Sequence, residues 1–324
     1  MLRLRAISVA AAALLSLLPA PTQAQSWPSR PVKIVAPFAA GGAADRLGRI
    51  VAEHFSTVFG QQFYIENRGG AGGMVGTASV ATAAPDGYTL VVSSIGGNIV
   101  SPAFHGNAGY DGLRDFSHIA YLGGPPVVMF VHPSLGVATY KDFVALARQR
   151  KEPLSFISPG TGSHGFLVGE YIAQRENYKV SHIPYKGAGP ALADLIAGHV
   201  KLGSMTFSSA AAQIRAGKVV ALAVASEKRI PGFPDLPTFK EVGQDLVAST
   251  WFALSGPAHL PNDIVGQLNR ETLKVMQSPE VQKQLALDAI ETKLMSPDEF
   301  TKFVEAETAR WAPLARQLAA SKPQ

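Results

Sequence analysis

The chain has 324 residues, with 29 Lys and Arg against 24 Asp and Glu. Its net charge of +5 is scattered, with no basic stripe of interleaved aromatics, which argues against nucleic-acid binding. It contains no cysteine, which excludes disulfides, thiolate metal sites and lipid attachment at an N-terminal Cys.

Residues 1–24 read as a signal peptide. Arg3 and Arg5 form a basic start, an uncharged and mostly apolar run follows from Ala6 to Leu18, and Thr22-Gln23-Ala24 meets the small-residue cleavage rule. Cleavage is expected after Ala24. The apolar run is too short for a bilayer span, which needs roughly 20 residues. Arg3 and Arg5 carry two of the five excess charges, so the mature chain keeps +3, a mild aid to the approach of anions. Its remaining length of about 300 residues is near the size at which one core splits into two domains.

From residue 32 onward, short apolar strands alternate with helical patterns. Strands are expected over 32–37, 63–66, 89–93, 127–131, 154–158, 181–184, 200–205, 219–225 and 251–255. The first of them runs into Pro37-Phe38-Ala39-Ala40-Gly41-Gly42-Ala43-Ala44-Asp45-Arg46, a turn of small residues apart from Phe38. The helix after it shows Leu47, Ile50, Val51, Phe55, Val58 and Phe59 at the helical period, with Asp45 in its first turn. Such a strand-to-helix loop offers free backbone N–H groups to an anion at the positive end of the helix dipole.

Asn67-Arg68-Gly69-Gly70-Ala71-Gly72-Gly73 is another Gly-rich turn into a helix, in which Arg68 is expected to brace the loop. Pro85-Asp86-Gly87-Tyr88 is a structural turn. Gly123-Gly124-Pro125-Pro126 reads as a rigid crossing, as does the segment 226–237 with Pro231, Pro234 and Pro237.

The second candidate anion loop is Ser158-Pro159-Gly160-Thr161-Gly162-Ser163. Continued to His164 and Gly165, it satisfies G-x-G-x-x-G after a strand. A dinucleotide site also wants an acid at the end of the next strand, and that strand ends Ile183-Pro184-Tyr185-Lys186. No cofactor is expected. The loop is also one residue from the hydrolase elbow G-x-S-x-G, with Thr161 at the first Gly position. An exported serine hydrolase using Ser163, with Asp245, Asp263 or His259 as partners, stays open at this level. In the bland reading Ser163 caps its helix. His164 either donates to an anion or caps the helix, and His182 is structural. Lys186, at a strand end, complements a carboxylate or is solvated. The eight histidines show no paired metal spacing, and no metal site is expected.

After the last strand come three helices, the final one opened by Ser296-Pro297-Asp298-Glu299, with a capping box and Pro at the first helical position. Its apolar face is Phe300, Phe303, Val304, Trp311 and Leu314, interrupted by Glu307. The alternation predicts an α/β fold with mostly parallel sheets. Crossovers are placed near residues 124 and 248. One lobe then takes 25–124 plus 249–324, and the other 125–248. Two anion-reading loops on an exported chain imply capture of a small carboxylate.

In this order the motifs resemble the Bug-type receptors, the periplasmic solute-binding proteins of tripartite tricarboxylate transporters. The resemblance covers essentially the whole mature chain. It rests on Trp27-Pro28-Ser29-Arg30-Pro31-Val32, the loop from Pro37 to Asp45, Glu66 to Gly73, and Pro85-Asp86-Gly87-Tyr88-Thr89-Leu90. It continues through Gly160 to Ser163, Pro184-Tyr185-Lys186-Gly187, Ala216-Gly217-Lys218, Leu236-Pro237-Thr238 and Ser278-Pro279-Glu280-Val281.

The resemblance implies a non-enzymatic, monomeric receptor in the periplasm, built as a Venus flytrap of two α/β lobes. It would hand a small carboxylate to the membrane permease subunits of such a transporter. A carboxylate sensor for a signalling partner would share the same cleft. Carried over residue by residue, the first-lobe contacts are Phe38, Ala39, Gly41 and, through water, Asp45, then Ser93 and Asn98 near the third strand's end. The second-lobe contacts are Ser158, Gly160, Thr161, Gly162 and Ser163, with Lys186. The chain departs from the family pattern at Ala43, often Gly, and at Phe166, where the family has His and this chain has it two residues earlier. Lys201 and Met205 stand where Asp is common, which suits a more apolar or more anionic ligand.

Overall fold

A computed structural model describes residues 27–321; the signal peptide and its cleavage site after Ala24 lie outside the described residues. Strands β1 (Val32–Ala36), β2 (Phe63–Asn67), β3 (Thr89–Ser94), β4 (Phe116–Gly123) and β10 (Phe252–Pro257) form one sheet in the order β2-β1-β3-β10-β4. Strands β5 (Val127–Val131), β6 (Leu154–Ser158), β7 (Val180–Pro184), β8 (Leu202–Thr206) and β9 (Val220–Val224) form the other in the order β7-β6-β8-β5-β9. The two plans are the same.

In each sheet four strands point one way. The fifth, β10 or β5, pairs antiparallel with both neighbours. The remaining pairs are parallel, as in the register Ile34↔Ile65 and Ile34↔Leu90. Each odd strand is the first one reached after the chain crosses between sheets. The two passages bind each other: Thr250 N–H donates to Pro125 O (2.8 Å) and Val127 N–H to Ala248 O (2.9 Å).

The sequence pattern predicts nine of these ten strands and misses β4. That strand is buried on both faces, so it shows no alternation, and Ser117 and His118 break its apolar run. His118 is held inside by a contact to the Leu113 carbonyl (3.1 Å) and an edge-on packing against Phe300.

Helix α1 (Ala43–Phe59) buries Leu47, Val51 and Phe55, spaced by four, and stops at Gly60 in the left-handed region. After it come α2 (Met74–Ala81), α3 (Ser101–His105), α4 (Tyr140–Gln149), α5 (His164–Arg175), α6 (Ala188–Ile196) and α7 (Phe207–Arg215). The chain ends in α8 (Asn262–Met276), α9 (Pro279–Leu287) and α10 (Pro297–Ala320), the last with the expected capping box between Ser296 and Glu299. No helix among the described residues is long and apolar enough to cross a membrane.

One continuous core joins the lobes. It runs from Val127, Met129 and Phe166 beside the second sheet to Ile95, Tyr121, Trp251, Phe300 and Trp311 beside the first. Helix α10 provides Phe300, Val304 and Trp311 to this core, so it splints both lobes. The outer faces carry separate clusters, one around Leu47, Val51 and Leu254, the other around Leu195, Met205 and Phe207.

Candidate functional site

The turns that follow β1, β3, β6, β7 and β8 meet between the two sheets, where open α/β sheets characteristically hold ligands. Four helices begin there. Ala43 and Ala44 of α1, His164 and Gly165 of α5, Ala188 of α6, and Ser209 of α7 with its N-cap Thr206 line one cavity, part of it open to solvent. No side chain caps α1, α6 or α7, although Phe207 N–H in α7 donates to Pro126 O (2.8 Å). The other first-turn N–H groups of these helices lack side-chain acceptors, and each terminus carries roughly half a positive charge.

The rest of the lining is apolar or hydroxylic. Phe38 and Phe252 supply rings, and Ser94, Ser163 and Thr250 supply hydroxyls. Among the described residues no Lys, Arg, Asp or Glu lines the cavity, and of those that do line it only His164 carries a titratable side chain.

Of the residues expected from sequence, the structure brings Phe38, Ser163 and His164 to the cavity wall. Ser163 is the cap of α5, its Oγ accepting the Phe166 N–H (3.2 Å). His164 is buried; its Nδ1 lies 3.0 Å from Thr250 Oγ1 and its ring meets Trp311 edge-on at 4.5 Å. Burial, and then the positive charge of Arg310, lower its pKa to about 3, so the imidazole is neutral. Its Nε2 has no hydrogen-bond partner among the described residues.

The remaining expected residues support the wall. Asp45 is buried beneath the first loop, accepting the Gly41 N–H (3.1 Å), Arg49 Nη2 (2.9 Å) and Asn67 Nδ2 (3.0 Å). Burial pushes its carboxyl up, but the contacts to Arg49, Gly41 and Asn67 outweigh this and hold it below the usual carboxylate range. Gly41 turns the loop at φ +86°. Ser93 bonds Ser255 Oγ (2.8 Å) inside the first sheet. Asn98 accepts the Ser94 N–H (3.2 Å) and donates to Gly112 O (3.0 Å). Ser158 sits behind the second loop, accepting the Gly160 N–H (3.2 Å) and pairing with His182 Nε2 (2.8 Å).

Ala39, Gly160, Thr161, Gly162 and Lys186 lie instead where the lobes touch. Ala39 N–H donates to the Lys186 carbonyl (2.8 Å), while the Lys186 ammonium end is at the surface. A Cβ on Gly69 would stand 2.1 Å from that carbonyl oxygen, and one on Gly187 would stand 2.6 Å from Ala39 N. The Thr161 carbonyl lies against Gly72, as Gly160 does, and Gly162 packs on Ser101. The lobes are therefore closed, backbone against backbone. That contact explains Gly69 and Gly72, which the sequence shows only as part of a turn.

Sequence reasoning overlooked Ser94, Thr206, Ser209 and Thr250. Thr206 and Ser209 were accessible to the rule that found the two loops, since β8 also runs straight into a helix. Thr250 had no such signal; the crossing between lobes delivers it.

With this geometry in hand, the comparisons with known proteins agree. A family model described as the tripartite tricarboxylate transporter family receptor matches residues 47–319. The protein BugT of Bordetella pertussis is 33% identical over 303 residues, covering 93% of each chain. Among solved structures, Rpa4515 of R. palustris with adipate is 32% identical, with TM-score 0.86 over 91% of this chain and 98% of that one. MatC from Rhodopseudomonas palustris with bound malate is 28% identical, with TM-score 0.85 over 89% of this chain and all (100%) of that one.

Proposed function

The chain belongs to the tripartite tricarboxylate transporter receptor family, among its Bug-type members, and from that premise we propose that it captures a small carboxylate between its lobes in the periplasm and presents it to the permease of a tripartite transporter. The observation that carries this reading is the convergence of four helix N-termini on a cavity lined by no charged side chain. A cation would find neither a carboxylate nor a favourable dipole there, whereas an anion meets N–H groups and the positive ends of helices from both lobes. Phe38, Ala43, Ala44, Ala188 and Phe252 suit a short carbon skeleton.

Binding works by selection of the closed state. A carboxylate that touches both lobes binds that state better and shifts the population toward it. We assign 25–124 plus 249–324 to the first lobe and 125–248 to the second. We infer a monomer, cleaved after Ala24, that binds its ligand without converting it. The ligand contacts we assign are the first-turn N–H groups of α1 and α7, with the hydroxyls of Ser163, Thr206 and Ser209.

The test is a thermal-shift screen of mature protein that has been unfolded and refolded to strip carried-over ligand. The panel contains adipate, malate, citrate, benzoate and amino acids, each beside its amide. A ligand of the native state adds RT ln(1 + [L]/Kd), about 2.7 kcal/mol at 100 times Kd. A large shift from one acid and none from its amide is expected, with the acid recovered unaltered. No shift from any acid, in folded protein, overturns the reading.

A further inference from the structure

We propose that Arg46 is a positioning residue of the cleft, a latch that ties the N-terminal turns of α1 and α7 together across the lobes and fixes the distance between the two helix ends that would grip one anion. The inference rests on the two-lobed receptor reading. Arg46 follows the cavity-lining Ala43 and Ala44 in α1, and its guanidinium crosses the cleft. There Nη2 donates to the carbonyl of Ser208 (3.0 Å), the residue before the cavity-lining Ser209 in α7. The tie therefore lies within two residues of the cavity wall on both sides.

The same Nη2 lies 2.9 Å from Asp288 Oδ2, just past the end of α9 in the first lobe. The Asp288 side chain is 15% exposed and that of Arg46 39%, so the carboxylate anchors a half-buried guanidinium against the cleft. A second arginine makes the reciprocal contact. Arg215, at the end of α7, donates to the carbonyl of Leu287 while its guanidinium lies over the Phe233 ring at 5.1 Å. Ala289 packs on the apolar cluster of the second lobe. Residues 287–289 of one lobe are thus held against α7 of the other by two arginines, one supplied by each lobe.

None of these contacts needs the ligand, and Arg46 to the Ser208 carbonyl and Arg215 to the Leu287 carbonyl both cross between the lobes, so they form as the lobes close, while the ion pair to Asp288 stays within the first lobe. A contact made in one of two states sets the population between them. Arg46 therefore raises the share of the closed state and keeps α1 and α7 in register within it.

The chain has no cysteine, so two can be introduced for spin labels. Glu53→Cys in α1 and Lys218→Cys after α7, both exposed, report the separation of the lobes by pulsed electron–electron dipolar spectroscopy. Refolded parent protein is expected to show a short-distance population. Arg46→Ala should lower the closed-to-open ratio by about tenfold, the size expected for loss of a charge-assisted contact. Arg46→Lys should restore part of it, and Asp288→Asn should fall between parent and Arg46→Ala. A distribution in Arg46→Ala that superimposes on the parent's overturns the latch, as does a parent with no short-distance population. A chain whose closure depends on Arg46 but which no acid stabilises would overturn the receptor reading and leave the latch standing.

Discussion

Gly72 of the first lobe lies so close to Ser163 of the second that a Cβ on it would stand 2.5 Å from the Ser163 nitrogen. The space between them is the closed cleft, and neither partner is a flexible side chain. Gly72→Ala should therefore block full closure. Its φ of +60° adds a strain of roughly 1–2 kcal/mol that an L-residue bears in this region. Calorimetric titration with whichever acid the screen identifies should show affinity reduced by about tenfold or more. Unchanged affinity would mean that the lobes grip ligand without this contact.

Thr206 and Ser209 share one wall of the cavity, their hydroxyls 2.8 Å apart. Replacing a hydroxyl that serves a carboxylate costs about 1.5–3 kcal/mol. Ser209→Ala should weaken binding by that amount. Thr161→Ala, on a loop residue outside the cavity lining, should weaken it far less. Equal losses in the two variants would move the ligand away from α7.

Two buried histidines set the acid limb of stability. Burial pushes His118 down to about 4, against the smaller opposing pull of the Leu113 carbonyl, and His164 down to about 3. The unfolded chain, with pKa near 6.5, takes up these protons first as pH falls. The stability they represent is complete above about pH 6.5 and is lost progressively toward pH 4 and pH 3. Tm should fall across that window, and His118→Asn should flatten part of the slope if it folds. A Tm profile level from pH 7 to pH 4 would contradict the burial of both rings.

The same depression of His164 predicts that ligand affinity is nearly level between pH 6 and pH 8, changing by less than about twofold. The ring lines the cavity but stays neutral throughout that range. Affinity that climbs steeply as pH drops through 6.5 would show that the imidazole takes a proton when the anion arrives.

Phe300 is fully buried in the core shared by the lobes, against His118, Tyr121 and Trp251. Phe300→Ala should cost about 3–5 kcal/mol. Because this core is continuous, urea should unfold the parent in one transition, with Trp fluorescence and far-UV circular dichroism coincident. Two separated transitions would show that the lobes are energetically independent.

The loops around Pro37–Asp45 and Ser158–Ser163 were legible because a strand, a small-residue turn and a helix follow one another in the chain. The side chains were harder to read. Asp45 and Ser158 carry polar groups at suggestive places, yet both spend them on their own loops, a distinction that depends on where Asn67 and His182 arrive from distant strands. Thr250 and Arg46 act through partners more than eighty residues away, His164 and Ser208, so no local pattern announces them. Strand β4 was hidden because burial of both faces removes the alternation by which strands are recognised.

The strand order also dictates when each sheet can be finished as the chain emerges. The second sheet holds all its members by Val224, and β5, its antiparallel strand, arrives first. In the first sheet β4 pairs only with β10, so it waits without a partner until Phe252–Pro257 appears, after the entire second lobe has been made. Helix α10, which splints both lobes, comes later still. The lobe that holds β1 is therefore the last to close its sheet. Until then the edge of β3 that will receive β10 stays open to other strands, the stage at which a folding chain is most exposed to mispairing.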